Sequence, residues 1–344
     1  MFVHSEKKAG EIAVPVATAW LLGACMEAKG KQELWTQQKP EVLAALREQA
    51  IIQSVESSNR IEGVTVDPGR LRPILLGKSA PRDRSEEELV GYREALQWIF
   101  SRKGPQAIRP ALVRFLHEMA QGHSGDAGKW KTRDNEIIEL LPGGGRKIRF
   151  IPTTAKQVPA AMTRLCDEYA RHMEEGKIPP LLLLASFVFD FLCVHPFRDG
   201  NGRISRLLTT LLLQEQGFTV GRYISLEKLV EDTKTDYYRT LEVCSKEWHD
   251  GRNTVTPWWN YFLGTVKQAY SEFARRVETA GQLGKTEIVK FVVERQHGHF
   301  SLAEIQAQCP SVSPQLIKKV LAELKAQNRV KLVGRGRSAK WERT

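Results

Sequence analysis

The sequence predicts an all-α protein, and two observations support this fold class. Apolar residues recur every three to four positions along most of the chain, which is the period of an amphipathic helix. Runs with strand character are rare. The predicted helices cover Pro40 to Val55, Pro110 to Met119, Val158 to Met173, Leu181 to Val194, Arg203 to Gln216, Thr235 to Trp248 and Trp258 to Val277.

One segment of the central chain is predicted to form strands rather than a helix. Between Asn135 and Pro152, β-prone residues (Ile137, Ile138 and Leu140, then Ile148 and Phe150) flank the glycine-rich run 142–145. Such a turn between two short apolar runs predicts a β-hairpin.

The last sixty residues form a separate pattern. The run 280–284, Ala-Gly-Gln-Leu-Gly, interrupts a long helix and predicts a domain boundary. A helix over 286–294 follows. Ser301 then caps a second helix with Glu304 as its capping-box partner, and Pro314 opens a third that reaches Gln327. Two β-prone runs, 330–333 and 338–341, come next. This order predicts a winged helix-turn-helix.

Composition limits the protein class. The chain has 344 residues, 42% of them hydrophobic and 26% charged, which is typical of a folded globular protein. The most apolar run, Leu181 to Val194, is too short to cross a bilayer, and the N-terminus lacks a signal-peptide pattern. Five scattered cysteines without a CxxC pair argue against disulfides and zinc. We therefore expect a cytoplasmic protein that does not enter a membrane.

The charge is uneven. Of the net +11, the segment from Lys285 onward contributes +7, with twelve basic and five acidic residues. A basic unit of this kind has nucleic acid as its default partner. Gln315 is placed to reach a base edge, although winged helices also bind proteins. The residues expected to contact DNA phosphates are Lys318, Lys319 and Lys325 on the third helix and Arg335, Arg337 and Lys340 on the wing.

The strongest motif is the run from His195 to Arg206, HPFRDGNGRISR. Its glycines favour a tight turn that leads into a helix N-terminus, where unpaired backbone N–H groups form an anion site. Arg203 and Arg206 lie three residues apart and can reach one polyphosphate. Asp199 offers an oxygen ligand for Mg²⁺. His195 is suited to act as a general base.

This run resembles the Fic family signature, HPFx[DE]GNGRxxR, with every fixed position filled, and the resemblance extends over roughly 45–265. It implies an all-helical core with the motif between two helices. It also implies that His195 activates a protein hydroxyl and that Asp199 holds Mg²⁺ between the α- and β-phosphates of ATP. Related Doc proteins, which act like kinases, carry Lys at the position of Gly202. The residues it assigns to the nucleotide are Gly200, Asn201 and Gly202 in the anion hole, and Arg203 and Arg206 at the β- and γ-phosphates.

An upstream segment, Ser58 to Gly63, resembles the inhibitory motif of the same family, [ST]xxxE[GN]. Ser58 and Glu62 are four residues apart, so they share one side of a helix that Gly63 would end. The resemblance implies that Glu62 pairs with Arg206 and misplaces ATP, as in the N-terminally inhibited class. The alternative is a surface glutamate near a helix end.

The resemblance also bears on the hairpin over 135–152 and on a pair of tyrosines. The resemblance gives the 135–152 hairpin the role of a flap that aligns the target protein; a purely structural hairpin is the alternative. It also places an aromatic residue near the adenine. Adjacent helical residues diverge, so only one of Tyr237 and Tyr238 can face the nucleotide, and we favour Tyr238. The pair Trp258 and Trp259 is expected in the core.

Together these observations predict an N-terminal helical region with the inhibitory helix (1–95), a Fic core (96–280) and a winged-helix domain (285–344). The resemblance implies transfer of AMP from ATP, with Mg²⁺, to a Ser, Thr or Tyr hydroxyl of a protein, including this chain itself as a candidate target. Two alternatives stay open: a DNA-binding regulator whose core senses nucleotide, and an enzyme that removes AMP. A homodimer is also left open.

Overall fold

A computed structural model describes residues 2, 13–37, 40–64, 66–75, 77–102, 104–122, 125–140, 145–281, 284–296, 298–334 and 339–344. In this part of the chain the fold is mostly helical, as predicted. The helices are α1 (Val16–Thr36), α2 (Pro40–Ile61), α3 (Pro68–Leu75), α4 (Arg84–Ser101), α5 (Pro110–Gln121), α6 (Val158–Glu175), α7 (Pro180–Val194), α8 (Asn201–Glu215), α9 (Leu226–Asp232), α10 (Lys234–Ser245), α11 (Thr256–Gly281), α12 (Lys285–Glu294), α13 (Leu302–Gln308) and α14 (Pro314–Ala326).

Helix α7 lies at the centre of the large core. Nearly all of its side chains are buried, as expected for a helix that is apolar on every side. Pro180 at the first helical position suits the helix start. The buried carboxylate of Asp190 accepts a hydrogen bond of 2.7 Å from Trp248 Nε1, which compensates its removal from water. The expectation of a buried helix is thus confirmed. No helix in the described ranges is long and apolar enough to cross a membrane.

The two tryptophans of α11 confirm the expected core role. Trp258 and Trp259 are almost completely buried. Their indole N–H groups donate to the Ala185 carbonyl (2.6 Å) and to Ser186 Oγ (2.8 Å), both on α7. These bonds fix α11 against the helix that leads into the candidate site.

The N-terminal and central segments share one buried core. Helix α4 crosses the predicted 95/96 boundary without interruption, and Leu46, Leu96 and Leu208 belong to the same cluster. Gly91 on α4 allows close packing against α5, because a Cβ there would lie 2.1 Å from the Met119 carbonyl oxygen. The physical unit therefore extends across that boundary. At the second boundary α11 reaches Gly281, while residues 282 and 283 lie outside the described part.

The central hairpin consists of β1 (Ile137–Leu140) and β2 (Arg146–Phe150), which pair antiparallel with an irregularity between Ile137 and Ile138. The predicted hairpin is present, although residues 141–144 of its turn lie outside the described residues. The facing pair Ile138 and Ile148 is exposed, at 42% and 50%.

Helices α12, α13 and α14 and the antiparallel strands β3 (Val330–Val333) and β4 (Lys340–Arg343) form a C-terminal unit with its own buried cluster. The predicted capping box of Ser301 and Glu304 is confirmed. Ser313 caps α14, with Pro314 at the first helical position. The wing residues Arg335 and Arg337 lie outside the described residues.

Candidate active site

The motif occupies the connection between α7 and α8, as predicted. Helix α7 ends at His195, which adopts a left-handed conformation (φ +49°). Gly200 is also left-handed (φ +78°), and a Cβ at this position would lie 2.3 Å from Gln121 Nε2. Glycine is therefore required at position 200 for both conformation and space. Helix α8 begins at Asn201, so the unpaired N–H groups of its first turn face the loop.

Asn201 holds this loop together. Its Oδ1 accepts from the Phe197 backbone N–H (2.9 Å), and its Nδ2 donates to the Phe197 carbonyl (2.8 Å). The side chain is buried, and each of its polar atoms bonds to Phe197. What Asn201 can offer a nucleotide is thus its backbone N–H at the helix start.

We expect Asn201→Ala to lower the free energy of unfolding by about 2–3 kcal/mol, because two buried hydrogen bonds are lost and two backbone groups lose their partner. Chemical denaturation measures the change. Arg198→Ala, an exposed substitution in the same loop, is the control and should stay within about 0.5 kcal/mol. An equally small change for Asn201→Ala would contradict this role.

His195 has the protonation state that a general base needs. Its Nδ1 lies 3.3 Å from the Leu192 carbonyl oxygen, an arrangement that assigns the proton to Nδ1 and leaves the Nε2 lone pair free. Burial, and to a smaller extent the positive charge of Lys131, lower the pKa of His195 to about 4. The ring is therefore neutral near pH 7.

Lys131 is a buried ammonium close to this histidine. Its backbone N–H donates to the Pro196 carbonyl (2.8 Å), and its Nζ donates to Asn135 Oδ1 (2.7 Å). Burial lowers its own pKa to about 8, so it is still mostly charged at neutral pH. The loop that precedes the hairpin thus places the positive charge of Lys131 near His195.

These pKa shifts predict an unusual pH profile for any reaction that uses His195 as a base. Activity is present above the pKa of the base and is lost as pH falls through it. Between pH 6 and 7.5 we expect kcat/KM, which reports the free enzyme, to be flat instead of falling near the ordinary histidine value. Lys131→Gln removes a lowering influence and should move the acid limb upward. Lys129→Gln, a nearby exposed lysine, should leave it in place; equal profiles for the two variants would contradict the role of Lys131.

Arg206 and the end of α2 form a buried contact. Arg206 Nη2 donates to Glu62 Oε1 (2.8 Å) and to the Ser58 carbonyl (2.9 Å), and its Nε donates to Ser58 Oγ (2.9 Å). Burial alone would lower the pKa of Arg206, but Glu62 outweighs it and the pKa is raised. Helix α2 ends at Ile61 and Gly63 is left-handed (φ +80°), as the motif predicted. The expected contact between Glu62 and Arg206 is therefore present.

Glu62 reaches the start of α8. A Cβ on Gly202 would lie 2.1 Å from Glu62 Oε1 and 3.2 Å from Arg206 Nη1. A carboxylate thus lies against the helix N-terminus, the place that favours an anion. Arg206 Nη1 is buried and has no hydrogen-bond partner within the described ranges. One donor of the arginine therefore remains available at this position.

Arg203 is engaged differently from Arg206. It is buried, and its Nη1 lies 2.6 Å from Glu88 Oε2. The Gln121 amide lies between these groups; in the orientation that satisfies both, its nitrogen donates to Glu88 Oε1 (3.2 Å) and its oxygen accepts from Arg203 Nη2 (3.1 Å). The sequence predicted that Arg203 and Arg206 share one helix face. Arg203, however, is already bonded to Glu88 on α4 and to Gln121 on α5.

Asp199 lies at the exposed edge of the loop. Its Oδ1 accepts from the Gly200 N–H (2.6 Å), and its Oδ2 lies 3.1 Å from Arg84 Nη2. Asp199 and Asp126 line the same open pocket of about 660 Å³. Within the described ranges, three or more acidic, histidine or cysteine side chains nowhere meet as a metal cluster. Since Mg²⁺ usually takes one or two carboxylates together with substrate phosphates, Asp199 fits a Mg²⁺ that arrives with a nucleotide.

Of the two adjacent tyrosines, Tyr237 is buried and packs against Trp258 and Tyr261. Tyr238 is half-buried, and its hydroxyl lies 3.4 Å from the Ile61 carbonyl oxygen, one residue before Glu62. Tyr238 therefore has an accessible surface beside the site. A role for it at the adenine stays a prediction.

Sequence reasoning missed several residues of this site, among them Glu88, Gln121, Lys131 and His117. The His117 ring stacks on Phe197 at 3.7 Å, and its Nε2 lies 3.1 Å from the Asp199 carbonyl oxygen. Burial lowers the pKa of His117 to about 4, so it is neutral. None of these residues belongs to a short motif, and the acidic run 86–88 resembles an ordinary solvated helix start.

Part of the chain is similar to a known protein family. Residues 107–213 match the model of the Fic/DOC family. The Fic protein adenylyltransferase of Nematostella vectensis is 25% identical over 177 residues, which are 49% of this chain and 39% of that protein. The protein adenylyltransferase fic-1 of Caenorhabditis elegans is 27% identical over 196 residues, 54% of this chain and 35% of its own length. This chain thus spans well under half the length of these relatives.

Solved structures share the fold. A Fic family protein from Desulfovibrio desulfuricans G20 aligns with a TM-score of 0.63 and 21% identity over 97% of each chain. A Fic domain-containing signaling protein from Bacteroides thetaiotaomicron aligns with a TM-score of 0.62 and 23% identity, over 74% of this chain and 97% of that one. At such identities the likeness concerns the fold alone.

The class that the fold defines is a mostly helical domain with a glycine-containing loop between two buried helices, α7 and α8. Within it, residues 107–213 are similar to the Fic/DOC family, whose matching relatives include protein adenylyltransferases, and His195 to Arg206 lie inside the matched segment. Glu62 lies outside that segment.

Proposed function

We propose that this protein transfers AMP from ATP to a hydroxyl group of a protein. The observation that carries the proposal is the juxtaposition at the start of α8. A neutral histidine with a free Nε2 precedes an N-terminal anion site, and Arg206 turns an unpartnered buried donor toward that site. General-base catalysis and phosphate positioning are the two contributions that such a transfer requires of a protein.

In this proposal, His195 Nε2 accepts the proton of a Ser, Thr or Tyr hydroxyl as its oxygen bonds to the α-phosphorus of ATP. The bond from the α-phosphorus to the bridging oxygen breaks, and pyrophosphate leaves with the electron pair. The N–H groups at Asn201 and Gly202 orient the phosphates, and Arg206 binds the outer ones. The Gly200 N–H, which the resemblance also assigned to the anion hole, instead donates to Asp199 Oδ1 (2.6 Å). Arg203 supports them from its buried place beside Glu88. Mg²⁺ held by Asp199 would supply neutralisation of phosphate charge.

We further propose that Glu62 inhibits the reaction. Its carboxylate lies against Gly202, where an ATP phosphate would bind, and it engages Arg206. A phosphate must therefore displace a bonded carboxylate before the nucleotide can bind correctly. The wild-type chain would then show little AMP transfer.

The experiment uses purified protein with Mg²⁺ and ATP that carries its label on either the α- or the γ-phosphate. We expect covalent label from α-labelled ATP in Glu62→Gly, much less in the wild type, and none in Glu62→Gly with His195→Ala. Label retained from γ-labelled ATP would instead identify phosphate transfer and overturn the proposal.

The exposed edge of the hairpin supports a docking role for the target protein. Ile138 and Ile148 form an exposed apolar pair, and a strand can recognise an extended segment mainly through its backbone. We propose that the target hydroxyl is presented along this hairpin.

A second candidate function, DNA binding, is favoured by the surface of α14. We propose that the C-terminal unit is a winged helix-turn-helix, with α14 in the position of a recognition helix. Gln315, Lys318, Lys319 and Lys325 are all exposed there. Such lysines give phosphate contacts and a steep dependence on salt.

This second proposal is tested by titrating labelled duplex DNA at several salt concentrations. Lys318→Ala with Lys319→Ala should reduce the salt slope by up to about 2, since each phosphate contact contributes about one. Lys246→Ala, an exposed lysine outside the unit, is the control. The absence of binding at low salt would refute DNA recognition and leave protein contact as the role of the unit.

A further inference from the structure

Two arginines flank one buried carboxylate at the edge of the site. Glu88 is buried, and its two oxygens hold Arg203 Nη1 (2.6 Å) and Arg84 Nε (2.8 Å). Arg84 belongs to the first turn of α4, which the Asp83 side chain caps by accepting from the Glu86 N–H (2.9 Å). The backbone of Arg84 is therefore fixed by a capped helix, while its side chain is 58% exposed.

The guanidinium of Arg84 pairs with Asp199. Arg84 Nη2 is 3.1 Å from Asp199 Oδ2, whereas the other oxygen, Oδ1, accepts the Gly200 N–H (2.6 Å) and lies farther, 3.8 Å, from Arg203 Nη2. Arg84 and Asp199 both line the open pocket, so a cation already pairs with this carboxylate there.

We propose that Arg84 is the resident counter-cation of Asp199, which a divalent cation must displace before it can bind this carboxylate. The proposal rests on the proposed function only in taking Asp199 as the metal ligand. Nucleotide phosphates give the displaced guanidinium a new acceptor. Metal and nucleotide consequently bind together better than the metal binds alone.

The test measures Mn²⁺ binding to the nucleotide-free protein by electron paramagnetic resonance of the free ion, so that no transfer activity is involved. Arg84→Gln should bind Mn²⁺ at least about threefold tighter than wild type, given the modest strength of exposed ion pairs. Arg84→Lys keeps the charge and should resemble wild type. Arg82→Gln removes an exposed charge two residues away and is the matched control.

Adding Asp199→Asn to Arg84→Gln should abolish the gain in Mn²⁺ affinity. Equal affinity in Arg84→Gln and Arg82→Gln would overturn the proposal, and so would a gain that survives Asp199→Asn. A protein that passes this test but transfers no AMP would leave the metal proposal standing and reject the proposed function.

A different observation supports a second inference, which concerns α2. This helix has 22 residues and ends one residue before Glu62, so it spans about 33 Å at the usual rise per residue. Its last turn is anchored by Arg60, which bonds to Glu231 (2.6 Å). Its first half contacts the C-terminal unit.

Three residues on one face of α2 form that contact. Glu41 Oε1 accepts from the Ser311 backbone N–H (3.1 Å), and Glu48 Oε2 lies 3.4 Å from Gln308 Nε2. Between them, Ala45 is 4% exposed and belongs to the buried cluster of the C-terminal unit. Positions 41, 45 and 48 follow the helical spacing of one face.

We infer that the C-terminal unit sets the strength of inhibition by Glu62, because it packs on the helix that carries this glutamate to Arg206. This inference rests on the proposed inhibitory role of Glu62. Packed helices shift as units, so loosening the first half of α2 should weaken the contact at its end. The exposed face of α14 would let a ligand of the C-terminal unit act on the site through α2.

The test places an arginine in the interface. Ala45→Arg should raise AMP transfer at least about threefold in the chain with Glu62, and it should add nothing in the Glu62→Gly chain, since the inhibition is then already absent. Ala44→Arg adds the same charge on the exposed side of α2 and is the matched control. Glu41→Ala, which removes the acceptor for Ser311, serves where Ala45→Arg does not fold.

Hydrogen exchange separates this inference from the proposed function, because it needs no catalysis. Amide exchange in residues 55–62 should accelerate in Ala45→Arg and stay unchanged in Ala44→Arg. Equal exchange in the two variants, or equal stimulation of transfer in the presence and absence of Glu62, would overturn the inference.

Discussion

Glu62→Gly is expected to raise AMP transfer by about 100-fold or more. Glu62 forms a charged hydrogen bond of 2.8 Å with buried Arg206 and lies against Gly202. A hydrogen bond between charged groups contributes about 1.5–3 kcal/mol, relief of the crowding at Gly202 adds to this, and each 1.36 kcal/mol corresponds to a factor of ten in rate. Part of that energy is offset when ATP phosphates take over Arg206. Initial rates with α-labelled ATP measure the gain.

Glu62→Gln is the matched variant for this prediction. It keeps the size of the side chain and loses its charge, so it should release Arg206 while still crowding Gly202. We expect its rate to lie between those of wild type and Glu62→Gly. Calorimetric titration should show that ATP affinity increases from wild type through Glu62→Gln to Glu62→Gly. Equal rates and equal ATP affinities in the three proteins would refute inhibition by Glu62.

His195→Ala in the Glu62→Gly chain should reduce transfer by about 10²–10⁴-fold, the usual contribution of a general base. The Nε2 lone pair of His195 is free, because Nδ1 faces the Leu192 carbonyl. ATP affinity should change little, since this ring is not assigned to the phosphates. The substitution therefore separates chemistry from binding.

His117→Ala is the contrasting variant. His117 is also neutral and buried, but its ring nitrogens bond to the backbone of Gly128 and Asp199. Its loss should lower the free energy of unfolding and disturb the loop without removing the base. If His195→Ala kept most of its activity, direct proton transfer to this histidine would be excluded.

Much of the site was predictable because its key residues are close in sequence. From His195 to Arg206 the spacing alone defines a turn, a helix N-terminus and two arginines one turn apart. The contact of Glu62 with Arg206 spans 144 positions, and it was predictable only through the resemblance of Ser58 to Gly63 to a family motif. The hairpin and the capping box of Ser301 followed from local residue chemistry.

The remaining features depend on tertiary packing, which no local pattern encodes. Glu88 is 115 positions from Arg203, and nothing in the acidic run around it distinguishes the residue that becomes buried. Lys131 lies in a loop, and its approach to His195 depends on how that loop meets Pro196. The shared core of α2, α4 and the central helices likewise follows from packing, because α4 continues through the predicted boundary at 95/96.

The most direct test of the central claim is the intact mass of the Glu62→Gly protein after incubation with ATP and Mg²⁺. Transfer of AMP to this chain predicts a mass gain of one or more adenylyl groups. The gain should be absent when His195→Ala is added, and it should be absent when ATP is left out. A mass gain equal to phosphate, or no adenylyl gain on either the Glu62→Gly protein or a protein added as target, would contradict the account.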